Sequence, residues 1–202
     1  MANRFDPDDK RVGFFGGTFD PPHLGHLALA KLAIEKAELD KLFLCPAYSA
    51  PLRTEPALFS AMDRLRMIEE ICKLDRKMDI WDKEIKLSRS QFTFDTIVEF
   101  KKHYPENQIF LLLGADQFSR LKQWYKPMEL SQLVHFLVFA RNEEGMPSPP
   151  LENMEVTFME NALIHISSTD IRDKLRNQVF PDKLLPVEVA NYLKQKNLFH
   201  LN

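Results

Sequence analysis

A glycine-rich connector, Gly16-Gly17-Thr18-Phe19-Asp20-Pro21-Pro22-His23-Leu24-Gly25-His26, constrains this chain more than any other segment. It follows a short apolar run, Val12-Gly13-Phe14-Phe15, and precedes a helical pattern over Leu27–Ala37. A buried strand, a tight turn and a helix in immediate succession open a strand–helix alternation, and strands separated by helices read as a parallel sheet covered on both faces. A glycine turn at the mouth of a helix also suits a bound phosphate. Two histidines three positions apart bring mobile protons and positive charge to that place.

The rest of the chain repeats the alternation. Apolar runs at Arg11–Phe15, Lys41–Cys45, Met78–Trp81, Gln108–Leu113, Val134–Ala140 and Glu155–Phe158 read as strands. Between and after them, Gly25–Glu38, Ser60–Leu74, Phe94–His103, Ser168–Arg176 and Pro186–Lys196 read as helices. Ser60 is suited to an N-cap and Pro186 to a first helical turn. Arg141–Leu151, with three prolines and a glycine, reads as a surface loop. The expected fold is α/β: a Rossmann-like, doubly wound parallel sheet with helices on both faces and a small C-terminal helical part. We expect a single domain over 1–202, with 1–10 a flexible polar tail and 165–202 the helical part. In such sheets ligands bind at the carboxyl ends of strands. The turn at 16–26, Gly114-Ala115-Asp116 and Arg141 all stand at such ends.

Composition narrows the partners. With 27 basic and 29 acidic residues the net charge is −2, so no nucleic-acid-binding face is expected. No apolar stretch approaches the roughly 20 residues of a membrane span, and the N-terminus lacks a secretory signal. The two cysteines, Cys45 and Cys72, read as reduced thiols of a cytoplasmic protein.

The phosphate chemistry follows from what the turn lacks. Gly13, Gly16 and Gly17 do not fit the Gly-x-Gly-x-x-Gly of dinucleotide sites, and the Gly-x-x-x-x-Gly-Lys-Ser/Thr of P-loops is absent. A histidine metal pair is usually spaced four apart, and no third ligand stands nearby. His23-Leu24-Gly25-His26 resembles the His-x-Gly-His signature of a nucleotidyltransferase superfamily. Ile166-Ser167-Ser168-Thr169-Asp170-Ile171-Arg172 resembles its second phosphate element, Ser-x-Thr-x-x-Arg. Within the superfamily the chain is most similar to the nicotinate-nucleotide adenylyltransferases. The likeness runs from about Gly13 to Phe199 and includes Asp82-Lys83-Glu84-Ile85, Phe92-Thr93-Phe94-Asp95-Thr96, Leu113-Gly114-Ala115-Asp116, Gln123-Trp124-Tyr125, Phe139-Ala140-Arg141 and Leu184-Leu185-Pro186.

The resemblance implies transfer of AMP from ATP to nicotinate mononucleotide. His23, His26 and Arg172 would be catalytic. Gly16, Gly17, Thr18, Phe19, Gly25, Gly114, Asp116, Ser167, Ser168 and Thr169 would bind ATP. Thr93, Trp124, Tyr125, Arg141 and Arg53 would meet the mononucleotide. Mg2+ would arrive mainly on ATP phosphates, without a metal site of the protein. A monomer or small homo-oligomer is expected. Nicotinamide mononucleotide, phosphopantetheine and FMN are rival acceptors, and a non-catalytic nucleotide sensor is the distant alternative. The chain departs from the family in one loop: Leu52 stands where the family carries a histidine, beside Arg53.

Overall fold

A computed structural model describes residues 10–49, 56–140, 147–160 and 166–199. Six strands alternate with helices: β1 (Arg11–Gly17), α1 (Leu24–Lys36), β2 (Lys41–Pro46), α2 (Ala61–Cys72), β3 (Met78–Ile80), α3 (Lys83–Leu87), α4 (Thr93–His103), β4 (Gln108–Gly114), α5 (Ala115–Ser119), α6 (Pro127–Ser131), β5 (His135–Phe139), β6 (Val156–Met159), α7 (Ser168–Arg176) and α8 (Val187–Gln195). The sheet is all parallel, in the order β3-β2-β1-β4-β5-β6. Strand order reverses between β1 and β4, which pair in parallel with Val12 opposite Ile109. The connector at 16–26 therefore leaves the carboxyl end of β1, and Gly114 ends β4. These are the positions where ligands bind in doubly wound sheets.

Every expected strand and long helix is present, with ends shifted by one or two residues. Helices α3, α5 and α6 were not anticipated. Each has five residues, too few for a 3.6-residue period to show in the sequence. Ser60 caps α2 as expected, its hydroxyl accepting the Asp63 N–H at 3.0 Å.

Contacts divide the chain into two compact units. The first comprises Met1–Gly16, Leu29–Phe43 and Gln91–Ile164. Its core is built on buried strand residues Val12, Phe14, Ile109–Leu112 and Phe136–Phe139. Phe100 of α4 meets Phe14 and Phe43 edge-on, with ring centroids 5.7 and 5.1 Å away. Such edge-to-face contacts add to the area the rings bury. Gly13 lies in β1 where a side chain would have no room: a Cβ there would stand 2.6 Å from methyl carbons of both Leu39 and Leu42.

The second unit comprises Gly17–Ala28, Leu44–Ser90 and His165–Asn202. Leu65, Met67, Ile68 and Ile71 of α2 are buried, as are Val189, Ala190 and Leu193 of α8. The Tyr192 hydroxyl of α8 donates to Asp63 of α2 at 2.9 Å. Partial burial, then that bond to a carboxylate, push the phenol up to about 12.

Gly13→Ala is expected to destabilise the protein by about 1–3 kcal/mol, because the two fully buried leucines must leave their rotamers. Thermal unfolding checks this; an unchanged Tm would show that the β1 packing is looser than the distances imply.

Candidate active site

The connector after β1 is stiff because its backbone and its one carboxylate are tied down. Phe19 adopts a φ of 51°, in the left-handed region that an aromatic residue enters only at a cost of about 1–3 kcal/mol. Buried donors hold the carbonyls on both sides of it. Arg64 Nη1 of α2 donates to the Thr18 carbonyl at 2.6 Å, and Arg172 Nη1 of α7 donates to the Asp20 carbonyl at 3.0 Å. Ser168 Oγ donates to the Pro21 carbonyl at 3.0 Å.

Asp20 is 1 % exposed. Its carboxylate accepts the backbone N–H groups of Leu58 and Phe59, at 3.0 and 2.9 Å, and lies 3.7 Å from Arg172 Nη1. A buried carboxylate with two N–H donors and a guanidinium partner is satisfied, as burial of a charge requires.

The histidines sit on this base. His23 is buried just before α1, and His26 is half-buried in its first turn. Their rings stack at 3.7 Å between centroids, tilted by 32°. The edge-to-face contact of Phe19 with His26, at 4.9 Å, fixes the second ring from another side. The His23 backbone N–H donates to His26 Nδ1 at 3.2 Å. An Nδ1 that accepts leaves the ring proton on Nε2, so His26 is set as an Nε2–H donor. The pair stands at the start of α1, where the backbone N–H groups and the helix dipole favour an anion.

The second phosphate element is the start of α7. Ser167 is its N-cap, the hydroxyl accepting the Asp170 N–H at 3.0 Å. Arg172 Nη2 donates to Thr169 Oγ1 at 3.0 Å. Ser167, Ser168, Thr169 and Arg172 thus gather in one turn, and Arg172 and Ser168 join them to the backbone of Asp20 and Pro21. His23, His26, Gly17, Thr18, Phe19 and Gly25 belong to this same unit. Gly16, the penultimate residue of β1, falls to the other. Arg172 is 7 % exposed, more deeply seated than a phosphate fork read from sequence alone suggests.

The other expected site residues that are described lie in the first unit. Gly114 caps α5, and Asp116 is exposed in its first turn. Thr93 begins α4. The structure brings Tyr125 to the same place, because Phe92, just before Thr93, stacks on it at 4.7 Å and 29°. Phe94 meets Tyr125 edge-on, and the Lys126 ammonium lies 4.9 Å over the Phe94 ring. Trp124 is half-buried and Tyr125 is exposed. Phe92 is 55 % exposed. Arg53, Leu52 and Arg141 lie outside the described residues.

Among the described residues, no protein nucleophile stands out. The Cys45 thiol is buried, and burial, then the carboxylates of Glu84 and Asp82, push it well above its ordinary value. It stays protonated and inert at neutral pH. Among the described residues, no group of three or more His, Cys, Asp or Glu side chains is placed to hold a metal ion. None of the helices described is long and apolar enough to cross a membrane.

Asp20→Ala would strand the part-buried Leu58 N–H, the buried Phe59 N–H and the Arg172 charge. The expected loss is about 2–4 kcal/mol in urea unfolding; a loss under about 0.5 kcal/mol would contradict the bonding described here.

The chain is similar to known proteins in sequence and in fold. The model of the cytidylyltransferase-like family matches residues 14–174. A probable nicotinate-nucleotide adenylyltransferase of Opitutus terrae is 32% identical over 192 residues, covering 94% of this chain and 97% of that protein. The nicotinate-nucleotide adenylyltransferase of Bacillus subtilis is 31% identical over 191 residues, covering 94% and 98%. In fold, the chain is similar to a solved structure of the Plasmodium falciparum nicotinic acid mononucleotide adenylyltransferase complexed with NaAD. The TM-score is 0.79 at 18% identity, covering 96% of this chain and 98% of that one.

Proposed function

This chain belongs to the cytidylyltransferase-like family, among its nicotinate-nucleotide adenylyltransferases, and we propose that it transfers the adenylyl group of ATP to nicotinate mononucleotide by direct displacement. A phosphate oxygen of the mononucleotide attacks the α-phosphorus of ATP. The bond from that phosphorus to the bridging oxygen breaks, and the electron pair leaves with pyrophosphate. The product is deamido-NAD. The attacking phosphate is already anionic at neutral pH, so no general base is required. The protein's part is alignment and stabilisation of charge on the phosphoryl oxygens.

One observation carries this reading. A stacked His23–His26 pair, with His26 set as an Nε2–H donor, sits on a turn that Arg172 ties to the capped start of α7. In this reading the histidines and the backbone N–H groups of Gly17–Phe19 meet the reacting phosphate. Ser167–Thr169 and the Arg172 guanidinium stand by the leaving pyrophosphate. Asp116 would accept ribose hydroxyls. Thr93 and the aromatic group of Trp124 and Tyr125 would hold the pyridine nucleotide, flat rings against a flat ring.

The donor set suits an Mg2+ ion that arrives on the nucleotide. A hard cation keeps phosphate oxygens and water as ligands, and the described residues form no protein cage. Bound there, the ion would neutralise charge on the ATP phosphates. The two cysteines and the substrate class suit a cytoplasmic enzyme.

The test is pyrophosphate release with ATP and, in turn, nicotinate mononucleotide, nicotinamide mononucleotide, phosphopantetheine and FMN. Nicotinate mononucleotide is expected to give the highest kcat/KM; preference for another acceptor would overturn the assignment. His23→Ala is expected to lower turnover ~100-fold or more while the far-UV circular dichroism is unchanged, as loss of an oxyanion donor does. Near-normal turnover would remove His23 from the mechanism.

A further inference from the structure

We infer that Arg64 is a positioning residue for this reaction, acting through the peptide between Thr18 and Phe19. The inference rests on the adenylyl-transfer reading and extends it to a side chain buried beneath the site. Arg64 lies in the first turns of α2 and is 1 % exposed. Its guanidinium is spent on backbone carbonyls: Nη1 donates to Thr18 at 2.6 Å and to Ala47 at 2.7 Å, Nη2 to Tyr48 at 2.8 Å, and Nε to Phe59 at 3.4 Å. A planar fork with five donors can gather several carbonyls in this way; a lysine ammonium cannot reproduce its geometry.

The bonds have a directional consequence. A trans peptide sets its C=O and its N–H on opposite sides. With the Thr18 carbonyl drawn onto Arg64, the Phe19 N–H points to the side away from α2. With the Gly17 carbonyl accepting the Ala47 N–H at 2.9 Å, the Thr18 N–H likewise points away from Ala47. Arg64 also holds the far side of that second bond, through the Ala47 carbonyl. Glu84, another buried charge, accepts the Tyr48 N–H at 3.2 Å. The guanidinium thus holds the Thr18–Phe19 peptide of the phosphate turn directly, beside the strained φ of Phe19, and braces the preceding peptide only through Ala47. Catalysis that depends on donors aimed at a developing charge is sensitive to such orientation, and a misplacement of 1 Å can cost about 100-fold.

The experiment compares Arg64→Lys with Ile68→Ala, a fully buried control on the same helix. Thermal unfolding of each is measured, and pyrophosphate release is assayed where both are folded. Arg64→Lys is expected to lower kcat about ten-fold or more while KM for ATP changes less than about three-fold. Ile68→Ala is expected to lose stability yet keep kcat within about two-fold of the parent. Arg64→Gln, assayed in sucrose to favour the folded state, supplies the same comparison should Arg64→Lys not fold. Retention of kcat by the folded Arg64 variant, or an equal loss in the Ile68 control, overturns the positioning role alone. Absence of pyrophosphate release from the unmodified enzyme with ATP and nicotinate mononucleotide overturns the adenylyl-transfer reading and this inference with it.

Discussion

The grip of two buried guanidinium groups on the carbonyls either side of Phe19 is the constraint on which the site depends. Phe19 occupies a backbone region that costs an aromatic residue about 1–3 kcal/mol, and the turn keeps it there because both neighbouring carbonyls have strong donors. Charged donors to carbonyls are shorter and about twice as strong as neutral ones. Two such bonds are of the size needed to offset the strain. The Phe19 ring then packs edge-on against His26, and the His23 N–H orients the same imidazole through Nδ1. Backbone strain, ring packing and tautomer are links of one chain of contacts.

Burying two arginines is costly, and the cost is met differently at each. Arg172 has a carboxylate 3.7 Å away, and that carboxylate is itself satisfied by two backbone N–H groups. Arg64 distributes its charge over four carbonyls from three segments of chain. Apolar residues of similar volume would stabilise such positions as well or better. What they could not do is fix the direction of individual peptides. That is the property a displacement at phosphorus requires, since the reaction needs no group from the protein except aligned donors.

Much of this was legible in the sequence. The six apolar runs, the Ser60 cap and the bounds of Ser168–Arg176 follow from patterning and cap chemistry, which are local. His23-Leu24-Gly25-His26 and Ser167–Arg172 were visible because their residue types are unusual for a turn and a helix start. Arg64 was not visible. Among Asp63, Arg66, Glu69 and Glu70 it reads as one charge on a solvated face. Yet it shares helical spacing with Met67, Ile68 and Ile71, all buried, and a lone cation on an apolar stripe was the signal. The pairing of Phe92 with Tyr125 was hidden as well, because Tyr125 comes from a distant segment that no local pattern reveals. Asp20 stands in the connector itself, but the Leu58 and Phe59 amides it satisfies lie 38 and 39 residues on.

In the proposed reaction the turn acts as a set of preoriented donors for phosphate. Backbone amide resonances of isotope-labelled protein, titrated with a non-hydrolysable ATP analogue, test it most directly. Thr18 and Phe19 are expected to show the largest downfield amide shifts, together with His26 Nε2–H, and all three to saturate at one concentration. Saturable binding that leaves the Thr18 and Phe19 amides unmoved would contradict it.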